Sequence, residues 1–595
     1  MMLNNNDNLK KHNNISAKRY NKSTLMRLGR YIMRYRMLAI TALILSVSGN
    51  VLALLGPMLS GYAIDAIAPG VSAVDFKKVF FYCGLMAIFY IISALFAYIL
   101  SLVTINLSQK IIYQMRTDIF DKLMKLPVSY FDNHKVGDII SRISYDVDTV
   151  NASLSNDLLQ IFTTVITVIF SFASMLYLSP MLLLAFVITI PMSIFFTRYK
   201  ATQVKPFFRK RSAKLGELNG FVEEIISGQK TIKAYNKEDY TILRFDSKNK
   251  DAVDAYYDAD YNGSVIGPSV NFINNISLSL ISTLGAILYL YNMSTLGNIS
   301  AFILYSRKFS GPINELANIT SELQSAFAAA ERIFNLLDEP EEISDVSDAI
   351  DIDAKGQVDF HNVCFSYDEN VSVIDNLNLH VEPGELVAIV GPTGAGKTTI
   401  VNLLMRFYDT NSGKILLDGI DIHNITRKSL RKSFTMVLQD TWLFSGSIYD
   451  NLAYGNPYVT YEDVVKAAKI AGIDDYIESL PDGYNTILSD DGVNISKGQK
   501  QLLTIARALL SSSKILILDE ATSNVDTRTE KQIQNAMYSL MQGRTCFVIA
   551  HRLSTIQNAD KIVVINKGQI SEQGTHDELM AKKGYYYTLY SSQFV

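Results

Sequence analysis

Hydrophobic and polar positions divide this chain into two unlike parts. In the first part, apolar residues come in long runs with few or no charges, at roughly 38–64, 79–105, 157–178, 180–197, 264–292 and 297–320. Each is about the length a helix needs to cross a bilayer, so the pattern predicts six spans. Beyond about residue 354 the runs shorten to β-rich pieces such as Leu386–Val390, Ile515–Leu518 and Cys546–Ile549, alternating with helical stretches. That alternation predicts a mostly parallel sheet flanked by helices. Between the two parts, Glu341–Asp353 is acidic and polar without an apolar period and reads as a linker. The expected division is a basic tail with an interfacial helix over 1–37, a transmembrane domain over 38–325, a linker over 326–353 and a soluble domain over 354–595.

Charge then orients the first part. The loops after the first, third and fifth spans are short and almost free of Lys and Arg, as in Tyr177–Pro180 and Asn292–Gly297. Those after the second and fourth are long, helical in composition and basic, with Lys110, Arg116, Lys122 and Lys125 in one and Lys205, Arg209, Lys210 and Arg211 in the other. The excess of positive charge puts these long loops, both termini and the soluble domain in the cytoplasm of a cell-membrane protein. The tail, from Lys10 to Arg36, is basic and lacks a small-residue cleavage pattern, and its later part, Leu25–Tyr35, suits a helix in the membrane interface. Arg307 and Lys308 fall inside the sixth run, where unpaired charge is costly, so they are expected to face a watery cavity, an anionic or amphipathic substrate or an acidic partner, unless they are paired structurally or the span lies elsewhere.

Composition excludes several classes. A net charge of −3 argues against a nucleic-acid binder, which needs a basic excess to neutralise phosphates. Cys83, Cys364 and Cys546 lie far apart without metal-ligand spacing, so neither a disulfide framework nor a zinc site is expected.

The strongest local signal is Gly391-Pro-Thr393-Gly394-Ala395-Gly396-Lys397-Thr398-Thr399, which follows an apolar strand and opens a helix. In that setting glycines let successive backbone N–H groups and the helix N-terminus point at phosphates, Lys397 adds charge, and the Thr398 hydroxyl can reach Mg²⁺. A second strand, Ile515–Leu518, ends in Asp519-Glu520. Beside a phosphate loop, Asp519 fits a Mg²⁺–water ligand and Glu520 a general base for the attacking water.

With Asn494-Ile-Ser496-Lys-Gly498-Gln499 ahead of a helix and of Leu518-Asp-Glu-Ala-Thr-Ser-Asn-Val-Asp526, the chain resembles the ATP-binding cassette (ABC) transporters, through the signature motif that defines their ATPases. The resemblance runs from about residue 20 to the C-terminus. It implies ATP and Mg²⁺ as cofactors and further roles: Tyr367 stacks on adenine, Gln439 senses Mg²⁺ and the membrane part, Asp526 lies in a dimer-contact loop, and His551 contacts the γ-phosphate. The implied fold is a membrane all-α six-helix transmembrane domain with long cytoplasmic helical extensions, fused to an α/β phosphate-loop ATPase domain. Leu126–Asp132, followed by Gly137–Arg142, is similar to the first coupling segment of type IV exporters, and Glu223–Asn236 to the second.

One departure bears on assembly. The signature reads Ile-Ser-Lys-Gly-Gln where the family's usual form is Leu-Ser-Gly-Gly-Gln, and Leu488-Ser-Asp-Asp-Gly492 replaces the usual Val-Gly-Glu-x-Gly. In the family this surface faces ATP on the partner's phosphate loop, where a glycine permits close backbone approach and Lys497 adds a side chain. The resemblance therefore implies a half-transporter in a lipid bilayer that pairs with a different ABC half and exports amphipathic small molecules, drugs, lipids or peptides. The alternatives are a homodimeric lipid flippase or an ATP-gated regulatory subunit or channel.

Overall fold

A computed structural model of the chain describes residues 24–68, 74–368, 371–438, 441–488, 495–519, 527–549 and 556–594. It forms two compact units, one of Met1–Met124 with Val136–Glu339 and one of Lys125–Lys135 with Pro340–Val595.

The first unit is helical. Among its described residues, Arg36–Ile67, Phe76–Lys125, Val136–Leu178 and Glu238–Leu290 are long and apolar enough to cross a membrane. The two remaining predicted runs lie on the helices Leu183–Ser227 and Leu296–Asp338. Their apolar stretches are diluted, the former by the basic residues that follow Phe196 and the latter by Arg307 and Lys308. The long loops prove to be continuations of the spans. At 1.5 Å per residue the 50-residue helix Phe76–Lys125 extends about 75 Å, far beyond a ~30 Å hydrocarbon core. Helix Leu183–Ser227 packs against Glu238–Ser264 with Arg211–Asp260 and Lys214–Asp251 ion pairs along the seam. Those pairs are exposed, so they contribute little stability each. Arg332 is different, because its guanidinium meets the buried carboxylate of Asp146 at 2.5 and 3.0 Å.

A proline explains the place of Lys308. Pro57 lies inside helix Arg36–Ile67, and having no N–H it leaves the carbonyl of Ala53 without its intrahelical donor. Lys308 Nζ donates to that carbonyl at 3.3 Å, and one turn earlier on the same helix the buried Tyr305 hydroxyl donates to Leu54 O at 2.6 Å. Of the expected alternatives, Lys308 thus takes structural pairing, with a backbone oxygen that Pro57 leaves without its helical donor, while Arg307 is exposed. At the other end of this contact, Asp65 accepts from the Thr295 hydroxyl and the Gly297 N–H, tying the start of helix Leu296–Asp338 to the end of Arg36–Ile67.

Among its described residues the second unit carries twelve strands, β1 (Val358–Asp368), β2 (Val371–Val381), β3 (Leu386–Val390), β4 (Ser412–Leu417), β5 (Ile420–Asp421), β6 (Phe434–Val437), β7 (Gly446–Ser447), β8 (Ile487–Leu488), β9 (Ile515–Asp519), β10 (Thr545–Ile549), β11 (Lys561–Asn566) and β12 (Gln569–Gly574). The main sheet runs β12-β11-β3-β10-β9-β6 and is parallel except for β12. Its inner strands β11, β3, β10 and β9 are buried on both faces, as a covered parallel sheet requires, while the edge strand β12 is not. Alternate residues serve different cores. Ala388, Leu516, Leu518 and Val548 join the helical side, while Val387, Ile389, Ile517 and Phe547 join the core shared with the antiparallel sheet β2-β1-β4-β5 and helix Lys397–Leu404.

Residues expected to form a linker are built into these units. Helix Leu296–Asp338 passes residue 326 without a break. After Pro340, Glu342 and Asp345 pair with Arg431 and Arg427 of helix Arg427–Lys432, and Glu342 N donates to Lys125 O. An acidic stretch without apolar period is held by a complementary basic helix. Residues Lys125–Lys135 belong to the same unit. Their short helix Val128–Asn133 buries Tyr130, whose ring stacks on His134, and Asp132 accepts the Tyr408 hydroxyl at 2.6 Å.

Candidate functional site

β3 ends at Val390 in the middle of the main sheet, so the loop that follows emerges between β11 and β10. Gly391, Gly394 and Gly396 all take positive φ. At Gly396, with φ 101°, a Cβ would also press on Ile374 at 2.8 Å and on the Val373 carbonyl at 3.0 Å, so the turn and the close approach both require glycine. Gly396 leads directly into helix Lys397–Leu404, whose free N–H groups therefore face the loop.

The loop, the helix start and the strand tips enclose a cavity of about 480 Å³ lined by Thr393, Gly394, Gly396, Lys397, Thr398 and Thr399, with Tyr367, Val373, Asp519 and Ile549. Lys397 is largely buried and its ammonium donates to the carbonyls of Gly391 at 2.8 Å and Pro392 at 3.0 Å. Burial lowers its pKa and the carboxylate of Asp519 opposes that shift. An ammonium bonded to backbone carbonyls, facing a cavity rimmed by a helix N-terminus, favours an anion. Thr398 is exposed to the cavity while Thr399 is buried. Tyr367 sits over the helix start, with its hydroxyl 3.3 Å from Thr399 Oγ1, and packs edge-on against Phe365 and Tyr408. About half of Tyr367 is exposed, which leaves a ring face for a planar base.

Asp519 ends β9, and β10 runs between β9 and β3. Asp519, expected beside the phosphate loop, is thus one strand away, yet it still reaches the same cavity, past Ile549 at the tip of β10. The hydroxyl of Thr398 and the carboxylate of Asp519 are hard oxygen donors, so the residues present fit Mg²⁺, which characteristically takes one or two protein oxygens and completes its shell with phosphate and water. Gln439, Glu520, Asp526 and His551 lie outside the described residues.

Among the described residues, those of the signature, Ile495 to Gln499, do not line this cavity. Ser496 caps helix Lys497–Leu509, with its Oγ accepting Gln499 N–H at 3.2 Å while Gln499 Oε1 accepts Ser496 N–H at 2.9 Å. Gly498 is buried beneath this cap, and Ser496 and Lys497 are exposed. The structure therefore brings together Tyr367, the phosphate loop and Asp519, and keeps Ser496, Gly498 and Gln499 apart as a separate exposed helix end. Sequence reasoning missed Val373 and Ile549, apolar strand residues whose type carries no chemical signal.

Comparison with known proteins fits this arrangement. Residues 39–313 match the family of the ABC transporter transmembrane region and residues 374–523 match the ABC transporter family. The uncharacterised ABC transporter ATP-binding protein YfiC of Bacillus subtilis is 41% identical over 96% of this chain and 94% of its own. The fatty acid ABC transporter ATP-binding/permease protein of Mycobacterium tuberculosis is 43% identical over 88% of this chain and 83% of its own. Among solved structures, a bacterial Atm1-family ABC exporter with ATP bound superposes with a TM-score of 0.75 at 29% identity, covering 94% of this chain and 98% of that one. The chain belongs to the ABC transporter family, as a membrane protein whose helical unit and ATP-binding unit share one polypeptide and which couples ATP hydrolysis to transport.

Proposed function

We propose that this chain is one half of an exporter that carries amphipathic compounds out across the cell membrane by alternating access, paired with a second ABC half that is a different chain. In this reading the ATPase unit and both termini are cytoplasmic, as the basic long loops suggest. Lys397 and the loop amides hold the β- and γ-phosphates of ATP, Tyr367 stacks on adenine, and Thr398, Gln439 and Asp519 hold Mg²⁺. Bound Mg²⁺ neutralises charge on the phosphates. Glu520 takes a proton from the attacking water, while His551 and the partner's side of the site position the γ-phosphate. Ser496, Gly498, Gln499 and Asp526 face the other nucleotide.

The observation that carries the reading is the start of helix Lys497–Leu509, exposed and outside the chain's own nucleotide cavity, with Lys497 at its first position. A helix N-terminus that does not line its own chain's site is suited to phosphates held by another chain. A lysine there, where the usual glycine would let backbone approach, favours one altered site and one competent site over two altered ones. The short helix Gln229–Ala234 also supports a partner, since it buries none of its residues and the adjoining Tyr235 is 72% exposed, whereas Val128–Asn133 buries Tyr130 in the chain's own ATPase unit. The fatty acid transporter among the relatives favours lipid-like molecules within the amphipathic class.

Purification with and without a genetically adjacent ABC half tests the assembly. The pair should hydrolyse ATP briskly and the single chain should not; brisk turnover by the single chain overturns the heterodimer. Efflux of dyes and of labelled fatty acids from cells expressing both halves then identifies the cargo.

A further inference from the structure

Ahead of the first span, the helix over 24–34 presents Arg27, Arg30, Tyr31 and Arg34 at i, i+3, i+4 and i+7, hence on one face. These four, with Asp118 and Phe334, line a cavity of about 410 Å³ within the helical unit. Its floor is built. Arg27 makes a two-pronged pair with Asp338 at 2.5 and 2.8 Å and lies 4.4 Å over the Phe334 ring, against which Tyr31 also stacks. The Tyr31 hydroxyl donates to Asp118 at 2.7 Å, and Gln114 donates to the other oxygen of that carboxylate. Both acids at the cavity are thereby engaged. Arg30 and Arg34 remain exposed, with no carboxylate bonded to them among the described residues. On the same short helix and its continuation, Met26, Met33 and Met37 are 60%, 66% and 75% exposed, an apolar edge that the rest of the unit does not cover.

Two free guanidinium groups above a rigid floor, next to exposed apolar side chains and at the threshold of a membrane span, match a ligand with an anionic head and an apolar tail. We propose that this cavity is a binding site for the headgroup of an anionic phospholipid of the surrounding bilayer, with the phosphate on Arg30 and Arg34 and the acyl chains along Met26, Met33 and Met37. The site shares no lining residue with the nucleotide cavity. Its occupant is a component of the membrane, drawn in by charge complementarity, and it anchors the helix at the headgroup level.

The test is native mass spectrometry of the full-length transporter in detergent, titrated with phosphatidylglycerol or phosphatidylcholine of the same acyl chains. The wild type should retain phosphatidylglycerol at least about ten-fold more strongly. R30Q/R34Q should bind it about thirty-fold more weakly, at about five-fold per cationic side chain removed, whereas R30K/R34K should keep the preference. The single variant R34Q, at an exposed position, serves if the double variant does not fold. Three results would overturn the proposal: equal retention of the two lipids by the wild type, undiminished phosphatidylglycerol binding in the glutamine variants, or full displacement by millimolar inorganic phosphate, which would identify a site for free anions.

Discussion

Lys308 tests whether a charge inside a membrane helix is held by local backbone chemistry or by a ligand. Replacing it with Met has two opposed effects on stability. Removing a cation from mid-membrane gains as much as about 2.5–3.5 kcal/mol. Losing its hydrogen bond leaves the Ala53 carbonyl without a donor, at a cost of about 1–3 kcal/mol. The contact is 3.3 Å and Ala53 is half-buried, so the lower part of that range, about 1–2 kcal/mol, applies. These terms nearly cancel, so the single variant decides little. Pro57→Ala separates them, because residue 57 then supplies the N–H that the Ala53 carbonyl lacks. The transfer term is common to both backgrounds, so the difference between them isolates the hydrogen bond. K308M should therefore be more favourable by about 1–2 kcal/mol in P57A than in the wild type. The assay is a double-mutant cycle on unfolding in detergent followed by circular dichroism, since helices dominate the membrane unit. Effects that add to within about 0.5 kcal/mol would refute the reasoning, and a change in cargo selectivity alongside such additivity would return Lys308 to the substrate path.

Three further outcomes follow from residues outside the membrane. Glu520→Gln should leave ATP binding by the assembled transporter intact while lowering turnover on the order of 10²-fold or more; retained turnover would show that Glu520 is not the base. His423 is raised by its hydrogen bond to Asp409 and then by Asp421, against burial and Arg406, so it contributes stability that is complete below about pH 6.5 and is lost as pH rises through its elevated pKa. His423→Gln should flatten the fall in the ATPase unit's melting temperature over that window, leaving the part due to His380, which is raised by Asp359 and Glu382; an unchanged slope counts against the ion-pair cluster. Burial pushes the Cys546 thiol up to about 12, so a maleimide should not modify it at pH 7.5 until the protein unfolds, as mass mapping of labelled peptides will report.

Much of the molecule could be read directly. Six apolar runs are visible because a bilayer demands some twenty residues with few charges, and the phosphate loop is visible because glycine, lysine and threonine must stand at fixed spacings on a strand–helix turn. Those are local requirements, met by neighbours in the chain. Tertiary structure decided what neighbours in the chain could not. Asp519 reaches the phosphate cavity across an intervening strand, because β10, thirty residues later in sequence, inserts between β9 and β3. Glu341–Asp353 reads as a linker because it is acidic and polar without an apolar period, yet its Glu342 and Asp345 pair with Arg431 and Arg427 from a distant helix. Lys308 called for some partner by local rules, and the partner it found is a carbonyl that Pro57, some 250 residues earlier, leaves without a helical donor. Sequence by itself determined the two unlike parts and the chemistry of the nucleotide site, since periodicity and motif spacing are short-range. Which polar group satisfies which was decided only by folding, because hydrogen bonds and ion pairs depend on distance in space.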